Sequence, residues 1–131
     1  MTFDRRRLLG GAGTLLAAEL AASSCRKTAD PPLRPGQAAI FAGDLAGGRR
    51  VTVVIGENPI EVFREGNRVV ARMLRCTHTG CVVRRDPASG GYRCPCHDGR
   101  FDENGDVVAG PPPLPLRAVP TVLSGDRVLV G

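Results

Sequence analysis

Both histidines of the chain and four of its five cysteines lie between Cys76 and His97, in the runs Cys76-Thr77-His78-Thr79-Gly80-Cys81 and Cys94-Pro95-Cys96-His97. Thiolate and imidazole are the ligands that soft and borderline metals prefer, so a metal ion or an iron–sulfur cluster is the first chemistry the pattern suggests. A fold built around it must bring two short loops together.

The rest of the chain suits a small, turn-rich β domain. Its 131 residues allow one core plus an N-terminal appendage. Tryptophan is absent while glycine and proline number 17 and 11, which argues against a helical bundle. Val51-Thr52-Val53-Val54-Ile55 is a β-branched run ending at Gly56. Ile60 to Arg64 and Arg68 to Arg75 flank Glu65-Gly66-Asn67, and Val119 to Leu123 and Arg127 to Val130 flank Ser124-Gly125-Asp126; both read as tight hairpins. Between them Cys76 to Pro115 is rich in Cys, Gly, Pro and Asp, with only Gly91-Tyr92-Arg93 and Val107-Val108 as strand candidates. That stretch looks inserted, and a long loop-rich segment in a compact domain is usually functional. No amphipathic helix and no internal repeat stand out in the body.

The N-terminus carries a different message. Asp4-Arg5-Arg6-Arg7-Leu8-Leu9 resembles a twin-arginine export signal, and residues 1–24 are expected to form that segment. The stretch from Leu8 to Ser24 holds three glycines and Glu19, too weakly apolar for a favoured permanent span. Ala22-Ser23-Ser24-Cys25 resembles a lipoprotein processing site, with Ala22 where leucine is usual, so Cys25 is a candidate for lipidation. Residues 25–36, with Pro31, Pro32 and Pro35, read as an anchor cysteine and extended tether, and 37–131 as the globular domain. The net charge of +5 includes Arg5, Arg6 and Arg7; the body is mildly basic, without the basic stripe and interleaved aromatics of a nucleic-acid binder. A solvated, slightly basic surface is the expectation.

Cys76-x-His78 and Cys94-x-x-His97 put one thiol and one imidazole on each of two loops, fifteen residues apart. Structural zinc ligands usually begin Cys-x₂₋₄-Cys, so tetrahedral zinc is the remote alternative, and thiol–disulfide catalysis by Cys94-x-Cys96 leaves the paired histidines unexplained. In order and spacing the four residues resemble the Rieske family, in which two cysteines hold one iron of a [2Fe–2S] cluster and two histidines the other. The resemblance implies an all-β fold, a Rieske-type antiparallel β-sandwich with an inserted cluster-binding subdomain of loops and short strands over about 76–115. It implies that Cys76 and Cys94 bind the inner iron and His78 and His97 the outer, and that Cys81 and Cys96 form a disulfide joining the loops. A disulfide fits an oxidising, extracytoplasmic compartment. Gly110-Pro111-Pro112-Pro113-Leu114-Pro115-Leu116 resembles the proline loop that covers the cluster, placing Pro112 in its environment.

By the same resemblance the protein transfers electrons at the outer face of a membrane, as a small carrier or as the electron-transfer subunit of an oxidoreductase such as an arsenite oxidase. The alternative is the Rieske subunit of a bc-type quinol–cytochrome oxidoreductase; a cytochrome, a quinol-oxidising complex or a molybdenum oxidase subunit would then be the redox partner. With no third histidine the chain cannot build a two-histidine, one-carboxylate iron site, so it has no complete active site of its own. In the high-potential quinol-oxidising branch, serine and tyrosine stand where this chain has Gly99 and Phe101, and glycine is usual where it has Asp98. The missing hydroxyls imply a lower potential.

Overall fold

A computed structural model describes residues 31–131; the twin-arginine-like segment, Cys25 and the first part of the tether lie outside the described residues. Eleven strands form three antiparallel sheets. β1 (Ala38–Phe41), β11 (Arg127–Val130) and β10 (Thr121–Ser124) make the first, with β11 central. β2 (Val51–Ile55), β3 (Asn58–Glu65), β4 (Arg68–Met73) and β9 (Ala118–Val119) make the second. β5 (Arg84–Arg85), β6 (Tyr92–Arg93), β7 (Arg100–Phe101) and β8 (Val107–Ala109) form a third, small sheet inside the inserted segment.

The first two sheets form the sandwich, and Ile40, Leu45, Ile60, Val62, Ala71, Val128 and Val130 fill it. Alternation decides which side chains enter: Val128 and Val130 of β11 are fully buried while Arg127 and Leu129 are only partly so. The expected hairpins form at both sites, with the glycine of Gly66-Asn67 and of Gly125-Asp126 at φ +59°. That left-handed conformation is open to glycine without steric cost, and it matches the twist of the flanking strands.

Two expected strands are shorter than the sequence suggests. The run from Val119 to Leu123 is broken at Pro120, which has no N–H to give a ladder, so β9 pairs with β4 and β10 with β11 in the other sheet. Likewise β4 ends at Met73, and Arg75 joins only an isolated bridge to Val82. Three strands carry no legible signal. β1 is only four apolar residues long, and β5 and β7 are two-residue pieces of Arg-Arg and Arg-Phe. A 3-10 turn over Ala42–Gly48 is too short for a periodic pattern, yet it drops Leu45 completely into the core.

A second apolar core, separate from the first, sits under the small sheet: Leu74, Cys76, Val83, Tyr92, Cys94, Phe101 and Leu116. Polar groups join the two. The buried Glu61 of β3 accepts hydrogen bonds from the Tyr92 hydroxyl at 2.5 Å and from Arg50 at 2.9 Å. Arg72 of β4, also buried, donates to the Tyr92 hydroxyl at 3.3 Å and to the Glu103 carbonyl at 2.8 Å. Arg50 lies 3.8 Å over the Phe63 ring, completing a network in which each buried charge has a partner.

Candidate metal centre

The first ligand loop follows β4 and folds on itself. Cys76 N–H donates to the Cys81 carbonyl at 2.8 Å, and Gly80 N–H to the Cys76 carbonyl at 2.9 Å. Arg75 fixes the loop to the body by donating to the carbonyls of Gly80 and, from its other terminal nitrogen, of Glu57. The second loop, residues 94–99, is the connection between β6 and β7, closed by Cys94 N–H to the Gly99 carbonyl at 2.7 Å. Asp98 within it has φ +55°, the described non-glycine residue in the left-handed region. This explains why glycine suits the position, and here two ion pairs hold an aspartate there instead: Arg93 Nε to Oδ1 at 2.5 Å and Arg100 Nη2 to Oδ2 at 3.1 Å. These hydrogen bonds, Arg100 first, lower the Asp98 carboxyl below its usual range.

Cys81 and Cys96 form a disulfide between the two loops, as the resemblance implied. Cys76 and Cys94 remain free thiols, 4 % and 1 % exposed. His78 and His97 are exposed, with ring centroids 4.8 Å apart edge to face. Each knuckle therefore sends its thiol into the second core and its imidazole toward solvent. Burial, opposed in part by the His78 backbone N–H, pushes the Cys76 thiol above its ordinary range, and the neighbouring Cys94 adds to the shift. Loading a metal would displace a proton from it. The sulfurs of Cys81, Cys94 and Cys96 also lie within 4.8 Å of one another, but two of the three are already bonded together and have no thiolate to give.

The proline loop forms the third wall. The Thr77 hydroxyl donates to the Leu114 carbonyl at 2.6 Å, and Leu114 N–H reaches back to the same hydroxyl at 3.4 Å. Pro112 is buried against the second loop: a Cβ on Gly99 would stand 2.5 Å from Pro112 Cγ. Gly110, at φ +86°, meets the same backbone, since a Cβ there would lie 2.8 Å from Gly99 Cα. Gly99 thus marks a close approach of two loops. Phe101 is 1 % exposed and packs in the same core as both free thiols. Thr77, Arg75 and the arginine pair on Asp98 escaped the sequence reading, because their roles depend on partners up to 37 residues away.

A pair of buried thiols and a pair of exposed imidazoles, gathered by a disulfide and a proline lid on a β-sandwich, define an iron–sulfur protein whose centre has mixed sulfur and nitrogen ligation. The chain belongs to the Rieske [2Fe–2S] domain family, whose model matches residues 37–120. It is 35% identical over 97 residues to the cytochrome b6-f complex iron-sulfur subunit of Gloeobacter violaceus, covering 73% of this chain and 49% of that protein. It is 44% identical over 73 residues to the carotenoid phi-ring synthase of Chlorobaculum tepidum, covering 56% of this chain and 11% of that protein. Among solved structures, the plasma membrane Rieske protein PetC3 from Synechocystis PCC 6803 superposes with a TM-score of 0.57 at 32% identity, covering 76% of this chain and 99% of that one. The chain spans about half or less of the length of several curated relatives it matches. It carries a Rieske-type [2Fe–2S] cluster and serves electron transfer.

Proposed function

We propose that Cys76 and Cys94 hold the inner iron and His78 and His97 the outer iron, and that the protein works at the outer face of a membrane. There it is a small carrier or an electron-transfer subunit. The observation that carries the ligand reading is the opposite burial of the two residue types, thiols in the core and imidazoles 4.8 Å apart at the surface. When bound, the cluster supplies a one-electron couple. The chain does the rest: the second core excludes water from the thiols, the proline loop covers one side, and the imidazole edges face the approach of a partner.

Support for a membrane location comes from the twin-arginine-like start, Cys25 and the tether, and from the relatives that are cytochrome b6-f subunits. No helix among the described residues is long and apolar enough to cross a membrane. The bc-type subunit reading is favoured by those relatives' names, and the carrier reading by the likeness to the ferredoxin of carbazole 1,9a-dioxygenase from Nocardioides aromaticivorans IC177, 29% identical with a TM-score of 0.50.

Pulsed electron paramagnetic resonance of the reduced protein tests the ligands. Coupling to two nitrogens is the expected result, with one lost in His78→Ala and the other in His97→Ala; a zinc site would give no signal. Mass spectrometry of the membrane-extracted protein, with affinity capture of any cytochrome, separates a lipidated carrier from a complex subunit.

A further inference from the structure

The register of the small sheet lines up three arginines. Arg84 of β5 stands directly opposite Arg93 of β6, and Arg93 directly opposite Arg100 of β7. Residues opposed across antiparallel strands share a face, so these three side chains form one row, and all three are exposed. Neighbouring strands lie about 4.8 Å apart, so the row is about 10 Å long. Like charges directly opposite are destabilising, and only part of the repulsion is relieved within the chain. Asp98 pairs with both Arg93 and Arg100, one negative charge against two positive ones. Arg84 has no ion-pair partner among the described residues, and Arg85 beside it lies 5.2 Å from the Tyr92 ring centroid.

The row borders a concavity of about 390 Å³ whose lining includes Arg84, Arg85 and Arg93 together with the carboxylates of Asp86 and Asp98. Asp86 is occupied in its own turn, accepting from Ala88 N–H and the Ser89 hydroxyl. Three guanidiniums therefore line the concavity against two carboxylates, an excess of one positive charge, and Arg100 continues the row beyond it. Position matters as much as charge. Arg93 directly precedes Cys94, and Arg100 directly follows Gly99, so the row is the base of the second ligand loop, whose tip carries His97.

We propose that this arginine row is the docking surface for an acidic patch on the protein that exchanges electrons with the cluster. Uncompensated positive charge beside a redox loop steers an anionic surface to that loop and orients it there. The side chains suit oxyanions: every cation after Lys27 is arginine, whose planar fork pairs with carboxylate or phosphate through two parallel hydrogen bonds. A membrane is the less suited anionic surface. The row is one side chain wide, its sheet neighbour beyond Arg100 is Ala109, and no large apolar side chain stands in the row to enter a bilayer.

The proposal rests on the cluster assignment only for its position, and the experiment keeps the two apart. The cluster-loaded protein, its loading verified by paramagnetic resonance, is titrated into a fluorescein-labelled hexaglutamate peptide and followed by anisotropy. The expected result is binding that weakens as salt rises, with Kd raised about fivefold or more in Arg84→Gln/Arg85→Gln at low ionic strength and the difference shrinking as the Debye length falls below about 8 Å. Arg64→Gln on β3, outside the row, should leave Kd unchanged. In the reduced protein, bound peptide resonances should be broadened by the nearby unpaired spin. Absence of binding, equal losses in Arg64→Gln, or unbroadened peptide would overturn the proposal while the resonance spectrum stood. Tighter, row-dependent binding to phosphatidylglycerol vesicles than to the peptide would reassign the surface to lipid and overturn it as well.

Discussion

The Tyr92 hydroxyl donates to the Glu61 carboxylate at 2.5 Å, joining the small sheet that carries the second ligand loop to the β2-β3-β4-β9 sheet of the sandwich. Both residues are buried, at 1 % and 5 % exposure, so the bond acts where water cannot replace it. Tyr92→Phe removes the donor and leaves Glu61 with Arg50 alone. A hydrogen bond to a charged group contributes about 1.5–3 kcal/mol, and that loss is expected in chemical denaturation of the variant. Nitrogen couplings in the reduced protein should be unchanged, since the ligands are untouched.

Reducing the Cys81–Cys96 bridge, or replacing it in Cys81→Ala/Cys96→Ala, frees two loops separated by 15 residues. The entropic model assigns about 3 kcal/mol to a loop of that length. Denaturation midpoints with and without reductant check this. The variant should show no reductant dependence.

Thr77→Val removes both hydrogen bonds between the first ligand loop and the proline loop at Leu114. At about 0.5–1.5 kcal/mol for each net hydrogen bond, the open population of the lid rises about fivefold to 150-fold. Cluster loss to an iron chelator, followed by the decay of visible absorbance, should accelerate by a similar factor. An unchanged rate would mean that the Thr77 tie does not hold the lid.

Asp98 gives a pH test. Its carboxyl is lowered by Arg100 and Arg93, so its contribution to stability is present above the unfolded carboxyl's ordinary range and is lost as pH falls through the depressed folded value. Asp98→Asn keeps a side chain that tolerates φ +55° but cannot titrate. Subtracting the variant's thermal midpoints from the parent's should give a difference that is flat near neutrality and shrinks below about pH 4.

Phe101 and Gly99 should behave differently, although both replace hydroxyl-bearing residues of the high-potential branch. Phe101 already fills the core around the free thiols, so Phe101→Tyr adds a donor there, and voltammetry should show a higher midpoint potential. Gly99→Ser instead drives a Cβ into Pro112 at 2.5 Å. Overpacking of that kind costs about 1–3 kcal/mol, and a lower melting temperature is expected with the lid displaced.

The sequence made the site more legible than its supports. Cysteine and histidine are rare and chemically explicit, so their clustering pointed to a metal centre and the family resemblance they carry singled out Cys76, His78, Cys94 and His97, and the sandwich strands announced themselves through β-branched runs and Gly-containing hairpins. The small sheet showed only β6 and β8, because strands of two residues such as Arg84–Arg85 and Arg100–Phe101 are too short to show alternation. The expected dilute, solvated charge concealed the arginine row for the same reason: Arg84, Arg93 and Arg100 become neighbours only through pairing register. Pro120 was read inside a strand, and its missing N–H instead moves the chain from one sheet to the other.

The sulfur of Cys94 lies within 4.8 Å of both halves of the Cys81–Cys96 bridge, which bears on the order of assembly. The four described cysteines admit three complete pairings, and two of them tie Cys94 to Cys81 or Cys96. If Cys76 and Cys94 hold iron, as proposed, a single pairing is left among these four. Maturation that inserts the cofactor first and oxidises second is then expected to reach the bridge directly, whereas the reverse order is expected to give some mispaired protein that thiol–disulfide exchange must correct before iron can enter.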